Sequence, residues 1–117
     1  MTTYELIFTE KITDDYNRIS DHLLRSYLHF GDRPETAINR VEQRVLELRA
    51  FIQSLKINPN RGTRRDDLTI GLRILSDRRR AVIAFLVDDV KNSVTVVSIF
   101  FGGEDYDVLL RDNREAT

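Results

Sequence analysis

The sequence predicts an α+β domain with the element order βααβββ, in which an N-terminal strand and a helical hairpin precede an antiparallel sheet. Three observations support this fold class. A short β-rich run lies near the N-terminus, two segments with helical periodicity follow it, and three apolar runs separated by polar reversals lie between residues 71 and 101. Because neither apolar surface is stable in water, we expect the helical hairpin to pack against the sheet.

The first strand and the first helix occupy the N-terminal quarter of the chain. Residues 4–8 form a short β-rich run. We expect Thr13 or Asp14 to cap the following helix and Gly31 to end it. The apolar stripe of this helix consists of Ile12, Tyr16, Ile19, Leu23 and Tyr27.

The second helix is predicted to begin at Asp32-Arg33-Pro34-Glu35, where Asp32 can cap and Pro34 needs no amide partner. Only residues 31–33 separate the two helices, so they form a tight antiparallel hairpin. Residues 58–62 break the helix and begin a loop. The apolar stripe of the second helix consists of Ile38, Val41, Val45, Leu48, Ile52 and Leu55.

Three strands follow the loop, at residues 71–75, from about residue 79 to 87, and 94–101. The middle strand is apolar on both sides over residues 81–87, which indicates a central position in the sheet. The polar reversals between the strands are short, which predicts an antiparallel meander.

Composition limits the classes of protein that the chain can represent. Its 117 residues suit a single domain, with a core over residues 4–110 and a tail at 111–117 that we expect to fray. The absence of cysteine excludes disulfides and thiolate chemistry, and a net charge of −1 predicts no partner. No apolar run approaches the length of a membrane span, and the N-terminus does not resemble a secretory signal, so we expect a cytoplasmic protein.

The sequence contains no recognisable catalytic, cofactor-binding or metal-binding motif. His22 and His29 are the only histidines, and both lie in the first predicted helix, where a structural or surface role is expected. The adjacent aspartate pairs are explained by capping and turns. We therefore predict no catalytic residue, no cofactor and no metal.

Arginines concentrate in the loop and the first hairpin of the sheet. Such a patch can bind nucleic acid or an acidic protein segment, or it can be a solvated sheet edge that discourages aggregation. Stacking on bases is disfavoured because the phenylalanines nearby lie in core-like strands. The patch consists of Arg64, Arg65, Arg73, Arg78, Arg79 and Arg80.

The order of motifs in this block resembles the toxins of the ParE/RelE superfamily. Gly71-Leu72-Arg73 is followed by the arginine-rich turn, by Val87-Asp88-Asp89, and by the closing run at residues 101–106. The resemblance covers roughly residues 4–110. Within the closing signature, the matching residues are Gly102, Asp105, Leu109 and Leu110.

The resemblance implies a type II toxin, and two departures favour its ParE-like branch. Phe101 stands where the nuclease branch has histidine, and Glu104 stands where a basic residue is usual. RNA cleavage needs a base and an acid, and Tyr106 is a poor base. The implied function is therefore inhibition of DNA gyrase by protein binding, in a plasmid-stabilisation type of system, rather than an enzymatic activity.

The same resemblance implies a cognate antitoxin as the protein partner. Its C-terminal segment would wrap the toxin, cross the helical hairpin and add to an edge of the sheet, giving a hetero-oligomer that meets DNA only through the antitoxin. The residues expected to contact the antitoxin or the target are Arg64, Arg65, Arg73, Arg78, Arg79, Arg80 and Tyr106.

Two alternatives remain open at this point. One is a RelE-like ribosome-dependent mRNA endoribonuclease, whose site would consist of Arg73, Arg79, Arg80 and Tyr106. The other is a diverged, non-toxic binding module that retains the fold.

Overall fold

The protein folds into a five-stranded sheet with a helical hairpin on one face and a third helix on the other. The computed structural model describes residues 3–78 and 80–115. The predicted α+β class, helical hairpin and three-strand meander are confirmed, and β2 and α3 are additional elements. The elements are β1 (Glu5–Phe8), α1 (Lys11–His29), α2 (Pro34–Gln53), a 3₁₀ turn (Ser54–Lys56), β2 (Thr63–Arg64), β3 (Arg73–Asp77), β4 (Ala81–Asp88), β5 (Ser93–Phe101) and α3 (Tyr106–Glu115).

The sheet is mixed, with strand order β1-β5-β4-β3-β2. The meander β3–β4–β5 is antiparallel as predicted, and β2 joins it in the same sense. In contrast, β1 pairs with β5 in parallel, with Glu5 opposite Ser93 and Phe8 opposite Val96. No tight turn links these two strands. The chain between them passes through the helical hairpin, so the position of the hairpin on the sheet determines the direction of β1.

The sheet separates two apolar clusters. The central strand β4 is buried on both sides, as predicted, with Ile83, Ala84 and Phe85 fully inaccessible to solvent. Ile83 and Phe85 pack with the helical hairpin, whereas Ala84 packs on the opposite face with Phe100 and the loop residue Leu68. Tyr106 and Leu110 of α3 lie against this second cluster. Alternation along the strands therefore assigns each side chain to a helix face or an α3 face.

Helix α1 begins earlier than the sequence predicts. Its first residue is Lys11, and the N-cap residue Glu10 makes no side-chain capping bond. Thr13 and Asp14 thus lie inside the first turn, so neither is the cap that we expected. Asp14 still lies in the first turn, where a negative charge favours the helix dipole.

The turn between the two helices follows the predicted pattern in part. Gly31 has a positive φ of 99° just after the end of α1, a conformation that glycine adopts at little cost. Pro34 is the first residue of α2, but its N-cap is Arg33. The expected cap, Asp32, instead accepts a hydrogen bond from Arg40 at 2.6 Å.

Helix α3 extends into the C-terminal tail. It continues through Glu115, and residues 116–117 lie outside the described residues, so the fraying predicted for residues 111–117 stays a prediction. The carboxylate of Asp105 accepts a bond from the Val108 amide at 3.2 Å, in the manner of a helix cap. Leu110 packs against the second apolar cluster, which attaches this part of α3 to the sheet.

Gly62 allows the loop to approach β3 closely. Its φ is 81°, and a Cβ at this position would overlap the carbonyl group of Ile74 and touch the Cα of Leu75. Gly31 has a similarly positive φ, but a Cβ there would meet no atom within 4 Å. A side chain at Gly31 would therefore cause backbone strain alone, whereas a side chain at Gly62 would cause both backbone strain and steric overlap.

We expect Gly62→Ala to destabilise the protein more than Gly31→Ala. Both substitutions incur the left-handed penalty of about 1–2 kcal/mol, and overlap with β3 adds about 1–3 kcal/mol at Gly62 only. Urea unfolding of the two variants measures the difference in free energy of unfolding. Equal destabilisation would show that β3 yields freely to the added methyl group.

Candidate functional site

The α3 face of the sheet carries an open groove of about 510 Å³. It lies between the loop that follows α2, the outer strands and the start of α3. Two of its lining residues, Arg65 and Tyr106, were predicted from the sequence as contact residues. The lining residues are Gly62, Thr63, Arg65, Ile74, Ser76, Val82 and Tyr106.

Arg65 is held in a four-residue ion network. It donates to Asp67 at 2.8 and 2.9 Å and to Asp107 at 2.9 Å. Arg111 of α3 bonds the same two carboxylates, at 3.1 Å to Asp67 and 2.6 Å to Asp107. The network connects the loop to α3, so the positive charge of Arg65 is already neutralised within the domain.

These contacts shift the ionisation of the groups involved. Hydrogen bonds from Arg65, opposed by desolvation, lower the pKa of Asp67 to about 2. Hydrogen bonds from Arg65 and then Arg111 lower the pKa of Asp107. The bonds to Asp67 and Asp107 raise the pKa of Arg65 further. A guanidinium with a raised pKa does not transfer protons near neutral pH.

Tyr106 is the first residue of α3 and closes one end of the groove. Its ring lies 6.2 Å from that of Phe100, measured between centroids, and it packs on the second apolar cluster. Its hydroxyl group can donate or accept a hydrogen bond.

Arg64 and Arg73 lie opposite each other on β2 and β3. Arg73 also pairs with Phe85, whose side chain belongs to the helix-face cluster. Side chains at paired positions share a face, so these two arginines lie on the helix side of the sheet edge, away from the groove. Arg64 pairs with Asp66 at 3.0 Å, and both side chains are exposed.

The arginine-rich turn between β3 and β4 is a third location. Arg78 is exposed and adopts a positive φ of 49°. Arg80 reaches across to Glu47 of α2 at 3.3 Å. Arg79, also predicted as a contact residue, lies outside the described residues. The candidate residues are thus distributed over three separate surfaces rather than one patch.

Phe101 does not face the groove. It pairs with Ala81 and packs on the helix side of the sheet, where His22 stacks on it with ring centroids 3.8 Å apart and planes 8° from parallel. The residue on the groove side is the buried Phe100. The replacement of histidine by Phe101 therefore says nothing about proton transfer in the groove itself.

The structure also contains a buried ion network that the sequence analysis did not predict. The carboxylate of Asp15 is inaccessible to solvent and accepts bonds from Ser98 at 2.8 Å, from the Ile99 amide at 2.9 Å and from Arg18 at 2.7 Å. Arg18 also donates to both carboxylate oxygens of Glu104, at 3.0 and 3.1 Å, and to the Ile99 carbonyl at 2.9 Å. The i, i+3 spacing of Asp15 and Arg18 was a local signal, but their distant partners had none.

The described part of the chain offers no metal site and no membrane-spanning helix. No group of three or more histidine, cysteine or carboxylate side chains is placed to hold a metal ion among these residues. None of the helices that the structure describes is long and apolar enough to cross a membrane.

Comparison with known proteins gives similarities at the level of the fold. No protein-family model and no curated protein matches the sequence. A chain of the chromosomal ParDE toxin–antitoxin system of P. aeruginosa superposes with a TM-score of 0.55 and 24% identity, covering 85% of this chain and 96% of that chain. A chain of the RelBE2 toxin–antitoxin complex of Mycobacterium tuberculosis has a TM-score of 0.48 and 14% identity, covering 86% and 99% respectively. The isolated RelE toxin of E. coli gives 0.41 and 16%, covering 96% and 98%.

The chain therefore shares its fold with the superposed chain of the ParDE toxin–antitoxin system. The order of its elements and the superposition on the ParDE chain agree on this point. The resemblance inferred from the sequence is confirmed as a fold assignment, and the residues expected to contact partners stay predictions.

We expect Asp15→Asn to lower the free energy of unfolding by about 3 kcal/mol, because it leaves Arg18 without its buried counter-charge and replaces one of two acceptor oxygens by a donor. The matched control is Asp21→Asn, an exposed carboxylate of the same helix that forms no salt bridge with the described residues. Chemical denaturation of both variants measures the effect. A loss below about 1 kcal/mol at Asp15 would mean that solvent replaces the network.

The Arg65 network predicts a pH dependence of stability. The carboxyl pKa values of Asp67 and Asp107 are lowered in the folded protein, so their contribution is complete above the unfolded value of about 3.8 and is lost as pH falls toward about 2. We expect wild type to be more stable than Asp67→Asn above pH 5, by a margin that shrinks steadily as the pH falls toward 2. Urea unfolding across this pH range tests it. A margin independent of pH would contradict an ionic origin.

Proposed function

We propose that the chain is the toxin of a type II toxin–antitoxin system, that it acts in the cytoplasm on DNA gyrase, and that a cognate antitoxin neutralises it. The observation that supports this most directly is the fold, which it shares with a chain of the ParDE system at a TM-score of 0.55. The proposal extends that similarity from architecture to activity.

The chemistry of the groove supports a binding function over RNA cleavage. Among the described residues that line it, only Arg65 and Tyr106 can ionise. Arg65 is neutralised by two carboxylates, and the residues that line the groove include neither a histidine nor a carboxylate. In-line cleavage of RNA requires a group that removes the proton of the 2′-hydroxyl, and this groove offers none in a suitable state. We therefore favour protein binding as the mode of action.

The contacts of Glu104, which belongs to the closing signature, also favour a binding function over RNA cleavage. Glu104 accepts bonds from Arg18 and from the Phe101 amide, the latter at 3.0 Å, and it is not among the residues that line the groove. Its role is to hold the turn that leads into α3. The departure from the family pattern is thus accounted for by packing.

The distribution of arginines suggests how an antitoxin and a target share the surface. Arg64 and Arg73 lie at the β2 edge, where an added strand would meet them. Arg78 and Arg80 lie at the opposite end of β3, beside α2. An antitoxin segment that crosses the hairpin and pairs with the sheet edge would contact both sets.

Expression of this chain alone in bacteria tests the proposal. We expect growth arrest that co-expression of the antitoxin reverses, and inhibition of DNA supercoiling when the purified chain is added to purified gyrase. Double substitution of Arg73 and Arg80 by Ala is expected to weaken toxicity or antitoxin binding by at least about tenfold without unfolding the domain.

Other outcomes separate the alternative functions. Arrest with unaffected gyrase and cleavage of translated mRNA would establish a RelE-like nuclease. Absence of arrest would indicate a diverged, non-toxic binding module. Toxicity that is unchanged in the double arginine variant would remove these arginines from the proposed contact surface.

A further inference from the structure

A second concave surface lies on the helix side of the molecule, where α2 faces the end of α1 and the β3–β4 turn. This cleft encloses about 340 Å³ and contains three arginines from two separate elements. It is distinct from the groove on the α3 face. The residues that line it are Tyr27, Arg40, Gln43, Arg44 and Arg80.

Two of the arginines are positioned by contacts within the domain. The guanidinium of Arg40 stacks 3.9 Å from the centroid of the Tyr27 ring and donates to Asp32 at 2.6 Å. Stacking of this kind orients a guanidinium without removing its remaining donors. Arg80 pairs with Glu47 at 3.3 Å, and both side chains are about half exposed at 47%. Exposed pairs of this kind contribute little, so an incoming carboxylate can replace Glu47 at low cost.

Arg44 is the arginine of the cleft for which the described residues provide no salt bridge. It lies one helical turn after Arg40 on the same face of α2 and forms no salt bridge with the described residues. Its side chain is partly buried between its neighbours. A partly desolvated guanidinium without a counter-charge binds an anion more strongly than an exposed one does.

The cleft adjoins a small apolar depression of about 30 Å³ that also borders Arg44 and Arg80. Five aliphatic side chains form its floor, and Glu47 and Asp77 lie on its rim. A ligand that places a carboxylate between the arginines can therefore place an aliphatic group in the depression. The aliphatic residues are Ile19, Leu23, Val45, Leu48 and Ala81.

We propose that this cleft binds an acidic segment of a partner protein, with a carboxylate at Arg44 and Arg80 and an adjacent aliphatic side chain in the depression. The inference rests on the proposed function for the identity of the partner, an antitoxin, but not for the binding chemistry. Charge complementarity at Arg44 and the apolar floor select a peptide that combines acidic and aliphatic residues.

A nucleic acid fits this surface less well. Asp32, Glu47 and Asp77 lie among the arginines and would repel a continuous row of phosphates, whereas a single carboxylate can bind between Arg44 and Arg80. Binding of a phosphate backbone depends on many cationic contacts, and the cleft supplies three. The ring of Tyr27 is already stacked on Arg40, so it is not available to stack on a base.

Fluorescence anisotropy with the purified chain tests the inference. The probe is a fluorescein-labelled peptide in which glutamate alternates with leucine, compared with a glutamine–leucine peptide and with labelled oligothymidine. We expect the glutamate peptide to bind in preference to both. Arg44→Gln, which keeps helix propensity, and Arg80→Gln should each weaken its binding by about tenfold or more.

The matched control is Arg33→Gln, an exposed arginine at the start of α2 that forms no salt bridge with the described residues. It should bind the glutamate peptide as wild type does, and thermal unfolding should show that all three variants are folded. Equal binding of the glutamate and glutamine peptides, undiminished binding by Arg44→Gln, tighter binding of oligothymidine, or no binding at all would overturn the inference.

The results of this experiment and the test of the proposed function can be told apart. Peptide binding with no toxicity and no effect on gyrase would leave the cleft assignment in place and remove the gyrase proposal. Gyrase inhibition by a chain that does not bind the glutamate peptide would do the opposite.

Discussion

The sheet depends on how helix α1 completes the free edge of β5. Strand β1 accompanies β5 only as far as Val96, where Ala84 and Phe85 of β4 mark an irregularity in the pairing. Beyond that point side chains replace the missing strand. Thr9 donates to the Val97 carbonyl at 2.8 Å, Asp15 and Arg18 bond the amide and carbonyl of Ile99, and Glu104 accepts from the Phe101 amide. Unpaired backbone groups at a sheet edge cost free energy when they are buried and promote aggregation when they are exposed. The side-chain bonds therefore stabilise the last strand and protect it from pairing with another chain.

The same network links the two sides of the molecule. Arg18 connects the buried Asp15 to Glu104, and Glu104 fixes the turn from β5 into α3. Desolvation opposes the charged form of Arg18, but its bonds to Glu104 and Asp15 outweigh that effect and raise its pKa. Helix α3 is also attached to the loop that follows α2, because Arg65 donates to Asp107 and Arg111 donates to Asp67. The turn before α3 and the helix itself, which border the groove on the α3 face, are therefore each joined by ion pairs to other parts of the fold.

Much of the fold was predictable from the sequence because it depends on local pattern. The helical periods, Gly31, Pro34 and the doubly apolar strand β4 each determine a local conformation that the structure retains. The direction of β1 and the existence of α3 were not predictable in this way, because both depend on contacts between distant residues. Asp105 was the available signal for α3, since an aspartate before Tyr106 can cap a helix. The buried role of Asp15 had no comparable signal in the sequence. Asp14 and Asp15 are adjacent and have nearly the same sequence context, yet Asp14 is exposed and Asp15 is completely buried.

The arginines show why composition alone does not define a binding site. Arg65 and Arg44 are both partly buried, yet two carboxylates bind Arg65 whereas no described residue forms a salt bridge with Arg44. The energy available for an external anion depends on this difference, because a guanidinium already engaged by carboxylates must lose those bonds before it gains new ones. In the sequence, Arg65 is conspicuous because it lies in the arginine-rich block. Arg44 is not conspicuous there, because it is one of several arginines on a helix surface. An arginine that forms no salt bridge with the described residues is therefore better able to bind an external anion. The position of Arg44 depends on how α2 packs against α1 and the β3–β4 turn, which the sequence alone does not show.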